Sequence, residues 1–172
     1  VKHNSRLSQG SLPDNGTGTG YFPHFMQERG WHVSAIEKSP QARQFAKEHF
    51  ELDVAAPEAL NEFANKSFDV ITLWHVMEHL EHLNETWETL KRILKDQGIL
   101  IIAVPNPTSF DAEKYKEMWG AYDVPRHLWH FSPSVMQQFG AKHDFILCER
   151  HPMPFDAFYV SMLSEKYRKS AF

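Results

Sequence analysis

The chain of 172 residues has a single cysteine, Cys148, so no disulfide can form within it and a reducing compartment suits it. No apolar run approaches the ~20 residues of a membrane-spanning helix. The polar opening VKHNSRLSQG lacks the apolar stretch of a signal peptide. These absences point to a cytoplasmic protein without a membrane span. There is no surplus of positive charge either. Lys and Arg number 18 against 22 acidic residues, a net charge of −4, which excludes a broad electrostatic footprint for nucleic acid. Repeats and low-complexity tracts are lacking too. What the chain does have is 11 histidines and an aromatic share of 13%, both suggestive of a pocket. Apolar residues at 42% and charged residues at 23% predict an ordinary folded globular chain.

Punctuation by Gly, Pro and Ser divides the chain into alternating strand-like and helix-like pieces. Phe68–Trp74 and Ile99–Val104 are near-continuous apolar runs, as in parallel strands covered on both faces. Val33–Ile36, a weak Leu52–Val54 and Phe145–Cys148 read as further strands. With a first strand before Asp14 they make six candidates. Helical spacing marks Phe22, Phe25 and Met26 before Gly30, and Ala42, Phe45, Ala46 and His49 after the cap Ser39-Pro40. It also marks Leu83, Trp87, Leu90 and Leu94, then Val135, Met136 and Phe139 after Ser132-Pro133. A short helix is predicted over Pro57–Ala64, and a longer one from Phe155 to Lys169. The alternation argues for an α/β fold with a doubly wound, Rossmann-like, mostly parallel sheet flanked by helices. The expected organisation is a loose segment over 1–11, a main domain over 12–150 with an aromatic insertion at about 106–131, and a helical tail over 151–172.

In such sheets ligands sit beyond the carboxyl ends of the strands. The run Asp14-Asn15-Gly16-Thr17-Gly18-Thr19-Gly20 stands there, opening a helix. Glycines let a turn take positive φ and let a ligand approach the backbone. Glu37 ends the next strand after a helix-sized gap, where a carboxylate can accept from both hydroxyls of a ribose. The nicotinamide fingerprint G-x-G-x-x-G fails in both registers, which end on Tyr21 or Pro23.

The pattern acid-x-G-x-G-x-G instead resembles motif I of class I S-adenosylmethionine (SAM)-dependent methyltransferases. Phe68-Asp69-Val70-Ile71 resembles the fourth strand of that family, and Trp74 to Leu80 the loop and helix after it. Leu94-Lys95-Asp96-Gln97-Gly98-Ile99-Leu100 is similar to its L-K-P-G-G-x-L turn. The resemblance is closest to the branch with ubiquinone-type O-methyltransferases. It implies SAM as cofactor, S-adenosylhomocysteine as product and a small-molecule acceptor, with the oligomeric state left open. Among the cofactor-binding positions it implies, Asp14 lies near the methionine amino group, and Gly16, Thr17, Gly18 and Gly20 line the cofactor. Glu37 holds the ribose, Asp53 is the nearest match to an adenine-facing acid after strand three, and Trp74 stands in the loop after strand four. Two departures stand out: Pro13 and Asn15 interrupt a strand that should be apolar. Few residues precede the motif and six strands are found against seven, so the fold is expected to be incomplete at both ends.

His75, Glu78, His79 and His82 follow strand four. His75 to His79 spells H-x-x-E-H, an inverted zinc-peptidase motif that would need His75 and His79 on one helix face. The apolar strand directly before it argues against that. The related O-methyltransferases carry E-x-x-E-H here, linked to a divalent cation. With His75 at the leading acidic position no metal is expected, Glu78 and His79 being the weak candidates. His75 is the first candidate for a base taking a proton from a hydroxyl acceptor, and His127 or His130 the next. Arg126 reads either as a partner of an acidic acceptor group or as a surface ion pair. A non-catalytic SAM-fold binding module is the alternative to an enzyme, kept open by the interrupted first strand.

Overall fold

Five strands form one parallel sheet in the order β3-β2-β1-β4-β5: β1 (Ser11–Asn15), β2 (His32–Ile36), β3 (Val54–Ala55), β4 (Phe68–Trp74) and β5 (Leu94–Ala103). The structure is a computed structural model and describes residues 8–170. Of the segment expected to be loose, residues 1–7 lie outside this range, and Ser11 already belongs to β1. The chain order reverses between β1 and β4, which makes the ends of these two strands the switch point where doubly wound sheets bind ligands.

The chain divides into two compact units: residues up to Met77 with His82–Ala103, and Glu78–Glu81 with Val104 onward. The first holds the sheet. Val70, Ile71 and Leu73 of β4 have no exposed surface, which explains the unbroken apolar run. Leu12, Met26, Trp31 and Val70 form a core cluster, with Phe22, Val33 and Ile101 packed against it. Helix α1 (Tyr21–Gln27) follows the glycine run, and α2 (Pro40–Phe50) starts at Ser39, whose hydroxyl accepts from the Ala42 amide at 3.3 Å. Helix α3 (Leu83–Ile93) buries Leu83, Trp87, Leu90 and Ile93, a stripe spaced by three or four, and runs directly into β5.

In the sheet one departure from the family pattern is tolerated and one expected strand fails to form. β1 forms at its centre despite Pro13, a residue normally confined to edges. The strand tolerates it because its ladder with β4 registers only at Asp14–Thr72 and Asn15–Leu73, while the Ser11 amide donates to the Asp69 carboxylate at 2.9 Å. Phe145–Cys148 is not a strand. The Phe145 amide bonds the Gly140 carbonyl at 2.9 Å, closing the end of a helix, and Ile146 is 88% exposed. Four residues of β propensity form no strand without a partner. The helix predicted over Pro57–Ala64 is a 3-10 turn, Pro57–Asn61.

The second unit is helical: α4 (Phe110–Tyr115), α5 (Pro133–Lys142) and α6 (Pro154–Ser170). Its aromatic stretch supplies a core. Tyr115 and Trp119 are buried with Ala112 and Ala121, and Val160 of α6 packs against them. Ser164 joins these parts: its hydroxyl accepts from the Gly120 amide at 2.8 Å and donates to the Val160 carbonyl at 2.7 Å. Among the described residues no helix is long and apolar enough to cross a membrane.

Candidate functional site

The glycine run is a loop folded over the end of β1. Gly16 and Thr17 both donate backbone N–H to the Ile36 carbonyl, at 2.8 and 2.9 Å, tying the loop to the carboxyl end of β2. Gly16 has φ of 82°, and a Cβ there would collide with Val76. Gly18 has φ of 59°, and a Cβ there would meet nothing within 4 Å, so its outer side is open to a ligand. Gly20 serves packing: a Cβ would stand 2.9 Å from the Ala46 Cβ and 3.0 Å from Leu52.

Glu37 lies where the sequence put it, just past β2. Its Oε2 accepts from the Gly18 amide and its Oε1 from the Ser39 amide, each at 2.8 Å. One carboxylate therefore joins the glycine loop to the start of α2. Asp14 is placed differently from a side chain facing a ligand. It is 1% exposed, with Oδ1 accepting from the Thr72 hydroxyl at 2.6 Å and Oδ2 from the Thr17 hydroxyl at 2.7 Å. It holds the loop from beneath. Thr72 was not singled out in the sequence; its signal is a lone hydroxyl inside the apolar run of β4.

Burial pushes the Asp14 carboxyl above its ordinary value of 3.8; the bonds from Thr72 and Thr17 oppose the rise and the charge of Glu37 adds to it. A carboxyl that binds its proton more tightly when folded contributes stability fully below 3.8, and loses it as pH rises through the elevated value. Asp14→Asn removes that loss. The ligand-free variant should melt at or above the wild-type temperature at pH 7, with the gap closing toward pH 4. A variant destabilised more at pH 7 than at pH 4 would mean that the threonine bonds to the carboxylate outweigh the cost of burying its charge.

Trp74 ends β4 half-buried, its ring edge-on to Phe22 at 5.5 Å between centroids, and its indole N–H has no hydrogen-bond partner among the described residues. His75 follows, exposed, with φ of 55° and its amide donated to the Ala103 carbonyl at 3.0 Å. It is not helical: a strand end is followed by a single 3-10 turn, Met77–His79, so His75 and His79 do not share a helix face and the zinc-peptidase arrangement is not built. Asp53 is a correction as well. It precedes β3 instead of following it, and pairs with Lys47 at 2.6 Å with its side chain 91% exposed. The acid after β3 is Glu58.

In the second unit, His79 donates Nδ1–H to the Arg126 carbonyl at 2.9 Å and His127 donates Nδ1–H to the Ala121 carbonyl at 2.8 Å. Their rings stand 4.7 Å apart, and one ligand atom from each lies within 4.8 Å of the other and of a Glu78 carboxylate oxygen. His130 is exposed, with Nε2 bonded to the Tyr122 carbonyl at 3.0 Å. Arg126 is an exposed ion pair, 2.6 Å from Asp123. His127 was read from sequence as a base; its closeness to Glu78 and His79 spans nearly fifty residues, beyond any local spacing.

Residues 5–148 match the family model described as a methyltransferase domain. The chain belongs to that family. An uncharacterised methyltransferase of Staphylococcus carnosus is 30% identical over 112 residues, 64% of this chain and 53% of that protein. The mitochondrial ubiquinone biosynthesis O-methyltransferase of Schizosaccharomyces pombe is 31% identical over 104 residues, 55% of this chain and 38% of that one. A SAM-dependent methyltransferase from Archaeoglobus fulgidus superposes with a TM-score of 0.66 at 19% identity, covering 92% of this chain and 78% of that chain. The likeness is one of fold: the methyltransferase domain here has the Rossmann-like parallel sheet expected from sequence. Its match spans about half the length of the curated uncharacterised methyltransferases it resembles.

Proposed function

We propose that this methyltransferase domain binds SAM over the Gly16–Gly20 loop and transfers its methyl group to a small-molecule acceptor, a hydroxyl being the group its histidines suit. The observation that carries the reading is the Glu37 carboxylate, held by the amides of Gly18 and Ser39 at the end of β2 beside a loop whose outer face is open. That is the position from which an acid meets an adenosine ribose. The buried indole N–H of Trp74 adds a donor at the end of β4 that a bound molecule can satisfy. The non-catalytic alternative drew on an interrupted first strand; β1 pairs with β2 from Ser11 to Asn15 and with β4 at Asp14 and Asn15.

Methyl transfer is an in-line displacement. The acceptor oxygen forms a bond to the methyl carbon, the carbon–sulfur bond breaks, and the electron pair leaves with sulfur as the neutral thioether of S-adenosylhomocysteine. Because the positive charge disperses in the transition state, alignment is the main demand, and holding two reactants at near-attack distance contributes about 7–11 kcal/mol. His75, at the carboxyl end of β4, takes the acceptor proton. Isothermal titration tests the cofactor reading: SAM and S-adenosylhomocysteine bind and NAD does not. Binding of NAD in place of both would overturn it. A screen of hydroxylated aromatics, quinol precursors and small acids then seeks the acceptor.

A further inference from the structure

We propose that the outward face of α6 is a self-association surface, on which a second copy of this chain docks its own α6 antiparallel across a two-fold axis. A helix at a protein surface ordinarily turns its apolar stripe inward and its polar face to water. α6 does the reverse. Phe155, Phe158, Tyr159 and Met162 recur at i, i+3, i+4 and i+7, one stripe along two turns, and they are 89%, 68%, 66% and 57% exposed. The proposal concerns this helix alone and is independent of the methyltransferase reading.

The rotation of the helix about its axis is fixed from the other side. Ser164, opposite the stripe, has no exposed surface and accepts from the Gly120 amide. Its neighbours on that inner side are held too. The Ser161 hydroxyl donates to the Asp111 carboxylate, and the Tyr115 hydroxyl donates to Glu165 at 3.0 Å. A Cβ on Gly120 would stand 3.0 Å from Leu163, so the helix lies close against that turn. Turning the four apolar side chains inward would break these bonds. The stripe can leave water only against a surface outside these residues.

Area and charge select a second copy. With aromatic side chains of about 150–250 Å² each, the stripe offers roughly 500–600 Å² of apolar surface, the upper end of what a lone domain leaves in one patch. Two such stripes face to face bury roughly 1,000–1,200 Å², the threshold of a specific interface. Lys166 and Lys169 continue the stripe toward the C-terminal end, while the first turn carries Asp156. Parallel pairing would bring four ammonium groups together. Antiparallel pairing centred between Phe158 and Met162 separates them, and each basic end then faces an acidic one. It also lays Lys166 of each copy near Phe155 of the other, where the aliphatic stem covers the ring and the ammonium meets its face. Two-fold symmetry, the commonest closure of a homodimer, makes that arrangement from one self-complementary patch.

Sedimentation of the full chain, 20.0 kDa per copy, tests the surface. A reversible monomer–dimer equilibrium should appear in the micromolar range. Phe158→Asp and Met162→Glu, both at exposed positions, should keep the wild-type circular dichroism and weaken the dimer at least tenfold. Lys166→Glu should weaken it several-fold, because a carboxylate replaces the cation over Phe155; an unchanged constant would overturn the antiparallel pairing. Phe25→Asp, at an exposed aromatic of α1, should dimerise like the wild type, and a loss equal to that of Phe158→Asp would overturn the assignment to α6. A chain that stays monomeric throughout the micromolar range, or a dimer that survives both Phe158→Asp and Met162→Glu, would overturn the proposal. So would monomers that bind vesicles of phosphatidylcholine and phosphatidylglycerol through the same residues, since the stripe would then belong to a lipid surface.

Discussion

Replacing His75 with alanine is expected to lower kcat by about 10²–10⁴-fold while leaving SAM affinity nearly unchanged, the signature of a lost general base. The expectation starts from backbone geometry. His75 directly follows the fourth strand with φ of 55°, pinned by its amide bond to the Ala103 carbonyl. For a residue other than glycine this conformation costs about 1–2 kcal/mol, and such strain concentrates where chemistry requires a side chain at a set point. The strand end borders the switch point between β1 and β4, where ligands of such sheets collect. A base acts on the acceptor and not on the sulfonium, so the SAM titration should be flat across the mutation. His75→Gly sharpens the test. Glycine adopts this conformation without cost, so the variant should melt no lower than the wild type and yet be as slow as His75→Ala. With an acceptor from the screen, the rise of rate with pH that a general base confers should vanish in both variants. A profile that keeps that rise would show that another group takes the proton.

The parts of the fold visible in the sequence were those written in short-range patterns. The bounds of β4 are Phe68–Trp74, as read from its apolar run, and α3 follows the three-and-four spacing of Leu83, Trp87 and Leu90. Ser39 and Ser132, each before a proline, cap α2 and α5 as their local chemistry dictates. Glu37 and the glycine loop were legible for the same reason: turn geometry and strand-end position are local. What was not legible depended on partners. Phe145–Cys148 has strand-forming residues, yet its first amide closes the end of α5. Asp53 looked like an acid after a strand, because nothing local shows that pairing with β2 begins only at Val54. The aromatic stretch was read as an insertion, and only the fold shows that Tyr115 and Trp119 are buried while Trp129 is 42% exposed. His127 meets Glu78 and His79 through backbone bonds between distant segments, and no spacing rule records that.

Glu37→Ala should weaken SAM binding tenfold or more, and the geometry separates the ways in which it could do so. Each oxygen of the carboxylate already accepts one backbone amide, from Gly18 or Ser39, and keeps a further lone pair. If the ribose hydroxyls donate to those lone pairs, each charge-assisted bond is worth about 1.5–3 kcal/mol, discounted for water that replaces it. A tenfold change corresponds to about 1.4 kcal/mol, so even one bond surviving that discount is visible. The mutation also frees the Gly18 amide, and a loosened loop would weaken every ligand alike. Comparing S-adenosylhomocysteine with its 2′-deoxy analogue on both proteins distinguishes the two effects. The wild type should bind the deoxy compound several-fold more weakly, and Glu37→Ala should bind the pair about equally, because the partner of the missing hydroxyl is gone. Glu37→Gln should resemble the alanine variant, since its amide group turns a donor toward one of two backbone donors. An unchanged dissociation constant in a folded Glu37→Ala protein would remove the residue from the cofactor site. A deoxy penalty that persists there would assign the hydroxyls to another partner and leave Glu37 as the brace of the glycine loop.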